Sequence, residues 1–105
     1  MALNINATIT TDEGFEVTSA FGYLNIYILA PDSNWTNVSY YKSKEDWESN
    51  KQPLNVSSLP SNVQTELTNA EFWGDALATT IHEKAITEIE KVTGADTCTI
   101  DKGTI

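Results

Sequence analysis

The chain carries one histidine, one cysteine, fifteen acidic residues and six lysines, with no arginine. These residues bound the chemistry open to it. His82-Glu83 falls where a helix is expected. A helical zinc-protease site needs a second histidine four residues after the first, so that both imidazoles share a face. Position 86 is Ile86, and the sequence has no other histidine. His82 stands one step off the apolar stripe of its helix and reads as a surface or boundary residue. Carboxylate pairs such as Asp12-Glu13, Glu45-Asp46 and Glu88 with Glu90 arise readily in so acidic a chain. Glycosidase chemistry needs two carboxylates held across a cleft, and no cleft is evident. Asp12 to Glu16 has too few ligands for a calcium loop. Cys98 has no cation beside it and no second histidine to serve a dyad, so it reads as a small buried strand thiol. The five glycines are scattered, and no phosphate-cradling loop is present. The expectation is a protein without catalytic residues, metal or cofactor.

The elements that must position any working surface follow from periodicity. Leu3, Ile5, Ala7 and Ile9 alternate with polar residues, the period of a half-buried strand. Thr11-Asp12-Glu13-Gly14 is turn chemistry, and Phe15 and Val17 alternate again, so a hairpin is expected. Residues 1–12 could instead form an arm or edge strand that pairs with a neighbour. Phe21 to Leu29 is apolar on both faces and predicts a central strand, ended at Ala30-Pro31 because proline donates no ladder hydrogen bond. Trp35 to Lys42 predicts the next strand, with Trp35, Asn37, Ser39 and Tyr41 on one side. Ser43 with Asp46 forms a capping pattern for a short helix over 44–50 anchored by Trp47. Residues 50–60 hold two prolines and no periodicity, and read as a loop. Ser61 is expected to cap a helical turn through Leu67.

The main helix is expected to open at Thr68 or Asn69, with Glu71 completing the cap. Trp73, Leu77, Ile81, Ala85, Ile89 and Val92 recur at helical spacing, a stripe of roughly six turns. Gly94 closes it, and Thr97 to Ile100 reads as a last strand. The fold class expected is α+β in a single domain over 1–105. An antiparallel sheet of four or five strands carries one long C-terminal amphipathic helix on one face.

A sheet has two faces, and one helix covers one. Tyr23, Tyr27, Leu29, Trp35 and Tyr41 fall on the other. Either the 50–60 loop and the Trp47 helix fold over them, or they form an interaction surface, where Tyr and Trp are enriched. Tyr23, Tyr27, Trp35 and Tyr41 are the interface candidates.

Charge narrows the partners. A net charge of −9 repels DNA, RNA and anionic lipid. No apolar run reaches the ~20 residues of a membrane span. The N-terminal residues lack the basic flank and apolar stretch of a secretory leader. Four Asn-x-Ser/Thr matches are present, at Asn6, Asn34, Asn37 and Asn55. They follow from composition and are discounted without a leader. The single cysteine permits no intrachain disulfide, which fits a reducing interior or an assembly that supplies burial.

The whole pattern resembles the small virion structural proteins of tailed bacteriophages. It is carried by the N-terminal strands, the Tyr40-Tyr41-Lys42-Ser43 run, the acidic Glu45-Asp46-Trp47 turn, the Asn50-Lys51-Gln52-Pro53-Leu54 stretch, and a long helix followed by Gly94-Ala95-Asp96-Thr97-Cys98. The resemblance implies a non-enzymatic protein of the virion, assembled in the bacterial cytoplasm, that contacts capsid or tail subunits in multiple copies. A capsid auxiliary or decoration protein is the first expectation, and a neck, tail or baseplate component the second. A reading of another class is a small acidic inhibitor of a host protein that mimics nucleic acid. Against it, the acidic residues of the helix are interleaved with Lys84 and Lys91 rather than arrayed in a stripe.

Overall fold

The computed structural model describes residues 1–64 and 66–103. Among them lie strands β1 (Ala2–Ile5), β2 (Ile9–Thr10), β3 (Glu16–Val17), β4 (Ala20–Ala30) and β5 (Ser33–Tyr41), helix α1 (Lys44–Glu48), strand β6 (Asn62–Val63), helices α2 (Asn69–Phe72) and α3 (Leu77–Thr93), and strand β7 (Cys98–Asp101). The class is α+β. A five-stranded sheet runs in the order β6-β5-β4-β1-β7, and every pairing in it is antiparallel. β2 and β3 form a separate two-stranded ribbon.

β4 is the central strand its two-sided apolarity predicts. It pairs with β5 along nearly its whole length and with β1 on the other side. The N-terminal residues depart from expectation. Residues 2–5 are neither an arm nor an edge strand: they lie between β4 and β7, with Ala2, Leu3 and Ile5 fully buried. The period-two pattern runs on to Ile9, but the backbone leaves the sheet after Ile5, where the Asn6 amide donates to the Thr97 carbonyl at 2.7 Å. Only Ile9–Thr10 then pairs with Glu16–Val17, across a turn in which Gly14 holds φ at +93°.

The interior face of the sheet has two covers. α3 packs on β1 and β7, bringing Ile81, Ala85 and Ile89 onto Leu3, Ile5 and Cys98. The segment 54–67 supplies Leu54, Val56, Leu59, Val63 and Leu67 to the same core as Leu24, Val38 and Tyr40. Backbone bonds pin this segment in place. Leu54 N–H donates to Tyr40 O at 2.7 Å, and Leu67 N–H to Pro31 O at 3.2 Å. The Tyr40 hydroxyl donates to the Pro60 carbonyl. Residue 65 of the helical turn expected over 61–67 lies outside the described residues, and the described residues of that stretch are not helical. Residues 62–63 pair as β6 with Thr36 and Asn37 instead, because a strand edge with open backbone groups lies beside them.

The main helix is shorter than the stripe predicts. Thr68 and Glu71 form the expected capping box, but it opens the four-residue α2. The chain then breaks at Trp73–Ala76, and α3 has 17 residues and is followed by β7. Gly74 explains the break. A Cβ there would sit 2.7 Å from the Ala70 carbonyl oxygen, so the backbone closes on the end of α2 only because that side chain is absent. Trp73, expected to lead the buried stripe, is 79% exposed, and Val92 is 54% exposed. His82 moves the other way. It is 3% exposed, on the same face as Ile81, Ala85 and Ile89, so its reading as a surface residue is corrected: the buried stripe is rotated toward position 82.

Candidate functional site

The outer face of the sheet is built from rows set by the β4–β5 register, since directly opposed residues of an antiparallel pair share a face. Four rows follow one another: Phe21 opposite Tyr41, Tyr23 opposite Ser39, Asn25 opposite Asn37, and Tyr27 opposite Trp35. β6 extends the third row, because Asn37 is also opposite Asn62.

α1 covers the first two rows. Ser43 caps it by accepting from the Asp46 amide at 3.2 Å, as its sequence predicts. That cap fixes the helix so that Trp47 lies over the sheet. Its ring stacks on Tyr23 at a centroid distance of 4.8 Å and tilts against Phe21 at 5.6 Å. Tyr23 and Tyr41 are consequently half-buried.

Among the described residues, the far end of the face has no such cover. Tyr27 and Trp35 stack on each other at 5.3 Å with an interplanar angle of 17°, and remain 46% and 39% exposed. Leu29, beside a register irregularity between Ile28 and Ala30, is 75% exposed. The covering expected for this face is therefore present on one half of it. Trp47 folds over Tyr23, while Tyr27 and Trp35 stay open. The apolar side chains of the 50–60 loop, Leu54, Val56 and Leu59, pack in the core on the opposite face. The four interface candidates separate into two exposed residues, Tyr27 and Trp35, and two half-buried ones, Tyr23 and Tyr41.

Between the two halves lies the row of Asn25, Asn37 and Asn62. Asn25 and Asn62 are exposed and Asn37 is half-buried. None of the three side-chain amides bonds to another described residue. Sequence reading missed this row, because it needs the β4–β5–β6 register. No local pattern joins position 62 to position 25.

The ionisable groups elsewhere serve structure. Asp12 accepts from the Ser57 amide at 2.8 Å and from the Ser57 hydroxyl at 2.6 Å, and these bonds hold its carboxyl below the usual range. Glu13 accepts from the Asn55 side chain at 3.0 Å and is likewise lowered. These residues tie the ribbon to segment 54–59. Burial raises the Tyr40 phenol and the Cys98 thiol. A raised thiol is the reverse of what a nucleophile needs. His82 Nδ1 lies 2.7 Å from the Ala78 carbonyl, the tautomer in which Nδ1–H donates, while Nε2 is buried without a partner among the described residues. No group of three or more His, Cys, Asp or Glu among the described residues could hold a metal ion. No helix among them is long and apolar enough to cross a membrane. What the outer face can do is bind, through two stacked rings and a row of amides.

Compared with known proteins, the chain matches no family model, no curated protein and no solved structure.

Proposed function

We propose that the chain is a non-enzymatic structural protein of a tailed-bacteriophage virion, a capsid auxiliary or decoration protein acting through protein–protein contacts. A neck, tail or baseplate position is the other placement on the same particle. The observation that carries the reading is the open aromatic end of the sheet, where Tyr27 and Trp35 stack and remain exposed, with Leu29 exposed two residues further along β4. Contiguous patches of this kind mark docking sites, and Trp and Tyr are the residues on which binding energy concentrates.

In this reading α3 is the amphipathic cover of one sheet face, and the opposite face is left for a capsid or tail subunit. Tyr27 and Trp35 are the anchors. Tyr23 and Tyr41 lie at the covered end of the same face, beyond the asparagine row. The net charge of −9 keeps unassembled copies apart in the bacterial cytoplasm and keeps assembled ones off packaged DNA. Many copies on a symmetric shell let a modest individual contact suffice, because avidity multiplies it.

The test is incorporation. Tyr27→Ala and Trp35→Ala are expected to lower the copies retained per particle, each costing ~2 kcal/mol or more of binding, about 30-fold in affinity. If the double variant fills particles as the parent does, this docking face is wrong.

A further inference from the structure

We infer that the surface on which Tyr27 and Trp35 dock is an uncharged, hydrogen-bonding patch of the partner subunit, and that Asn25, Asn37 and Asn62 bond to it. This rests on the docking reading above and names the chemistry of the partner at that same face.

The argument is one of charge. One residue in five of the chain is charged, and the net charge is −9. Yet Tyr23, Asn25, Tyr27, Trp35, Asn37, Ser39 and Asn62, which make up the three rows from Trp47 to the open end, include no charged side chain. At one charged residue in five, seven positions would carry one or two charged side chains on average. A face that answered a basic partner would carry carboxylates, and one that answered an acidic partner would carry lysines. This face carries neither, which matches the depletion of charge at the centre of protein interfaces.

The amides supply the polar half of the match. Each Asn side chain offers two N–H donors and a carbonyl acceptor. The three amides are aligned across adjacent strands and are not bonded within the described chain. Such a row can answer backbone carbonyls, amides and hydroxyls of either polarity. Stacked rings beside it exclude water, so those bonds are made at low dielectric, where they count for most. A partner charge set against this row would have no counter-charge, and its desolvation would be uncompensated.

The experiment uses the full chain and, as probe, particles of the natural source depleted of this protein by mild denaturant. Rebinding is measured for the parent, Trp35→Ala, and the opposed pairs Asn62→Asp with Asn62→Lys and Asn37→Asp with Asn37→Lys. Circular dichroism establishes that each variant is folded; the Asn62 pair, on an exposed site, keeps the test open should the half-buried Asn37 pair not fold. The expected result is that Asp and Lys weaken binding alike, by ~10-fold at each position, since either leaves an unpaired charge in the contact. Parent binding should also change less than about threefold between low and high salt, because no charge pairs form. Opposite effects of Asp and Lys would overturn the inference by revealing a charged partner. No effect of either would overturn it by placing the row outside the contact. Competition by a neutral polysaccharide such as dextran would overturn it in favour of a glycan occupant. If the parent does not rebind, or Trp35→Ala rebinds fully, the docking reading falls and the inference with it. If Trp35→Ala abolishes rebinding while the charge pairs behave otherwise than stated, the inference alone fails.

Discussion

Replacing each of the three tryptophans by alanine should give three different stability costs, because each indole has a different job. Trp47 is the anchor of α1, a five-residue helix with no fully buried side chain of its own. Its ring lies on Tyr23 and Phe21. A tryptophan buries about 150–250 Å² when covered, and apolar burial is worth about 25 cal/mol per Å². Half-burial therefore stabilises by roughly 2.5 kcal/mol, an upper figure because the unfolded chain is already partly collapsed. Specific ring geometry adds ~0.5–1.5 kcal/mol. Trp47→Ala should cost ~2–3 kcal/mol, out of the ~5–15 kcal/mol typical of a domain. Trp35 has one aromatic partner and open solvent on its other side, so Trp35→Ala should cost about 1 kcal/mol of stability. Trp73 is 79% exposed and meets the Phe72 ring edge-on, and its loss should stay within about 0.5 kcal/mol. Urea unfolding followed by far-ultraviolet circular dichroism reads all three on one scale. A Trp47→Ala cost under 0.5 kcal/mol, or a Trp73→Ala cost above that of Trp47→Ala, would refute the account of how α1 closes the sheet.

Two further outcomes follow from side chains the core did not need to hold. His82→Leu removes a buried nitrogen with no partner among the described residues and should leave stability unchanged or raised by up to ~2 kcal/mol. His82→Ala should instead lose ~2 kcal/mol or more to a cavity. Denaturant midpoints separate the two, and a loss in His82→Leu beyond the ~1 kcal/mol of its Nδ1–H bond to the Ala78 carbonyl would mean that Nε2 is satisfied. Asp12 and Glu13 have carboxyls lowered by their bonds to Ser57 and Asn55. For a lowered acid the sign is fixed: its contribution is present above the unfolded value, about 3.9 for aspartate and about 4.3 for glutamate, and is lost as pH falls through the lower folded value. The Ser57 amide resonance should therefore shift with a midpoint below the ordinary aspartate range, and Asp12→Asn should abolish that step. A midpoint at or above the ordinary value would contradict the bond.

The parts of the fold legible in the sequence are those where local pattern and tertiary demand agree. β4 and β5, the Ser43 cap, the Thr68–Glu71 box and the Gly94 stop were all expected and are all formed. The failures have particular causes. Val56, Leu59, Val63 and Leu67 are all core residues, but Pro60 interrupts any single helix that would carry all four, and no strand alternation joins them. Their burial is decided by the open face over Val38 and Tyr40, not by local period. Trp73 fits a helical stripe by spacing, yet Gly74 breaks the helix behind it. His82 stands one step off the stripe and reads as a surface or boundary residue, whereas the buried face is rotated toward it and its Nδ1–H is satisfied by the Ala78 carbonyl one turn back. The candidate surface was legible as residue types on one side of a strand pair. Its division into a covered half and an open half was not, because that depends on where a five-residue helix lands.

The central proposal is that this chain belongs to a particle. Its most direct test is sedimentation of a lysate of the natural source through a density gradient, with this protein and the major shell subunit quantified across fractions by mass spectrometry. The account predicts that the chain travels with intact particles: near-equal copy number would mark a capsid auxiliary protein, and a small fixed number per particle a neck or tail component. Recovery only at the top of the gradient, as a small free species, would contradict it.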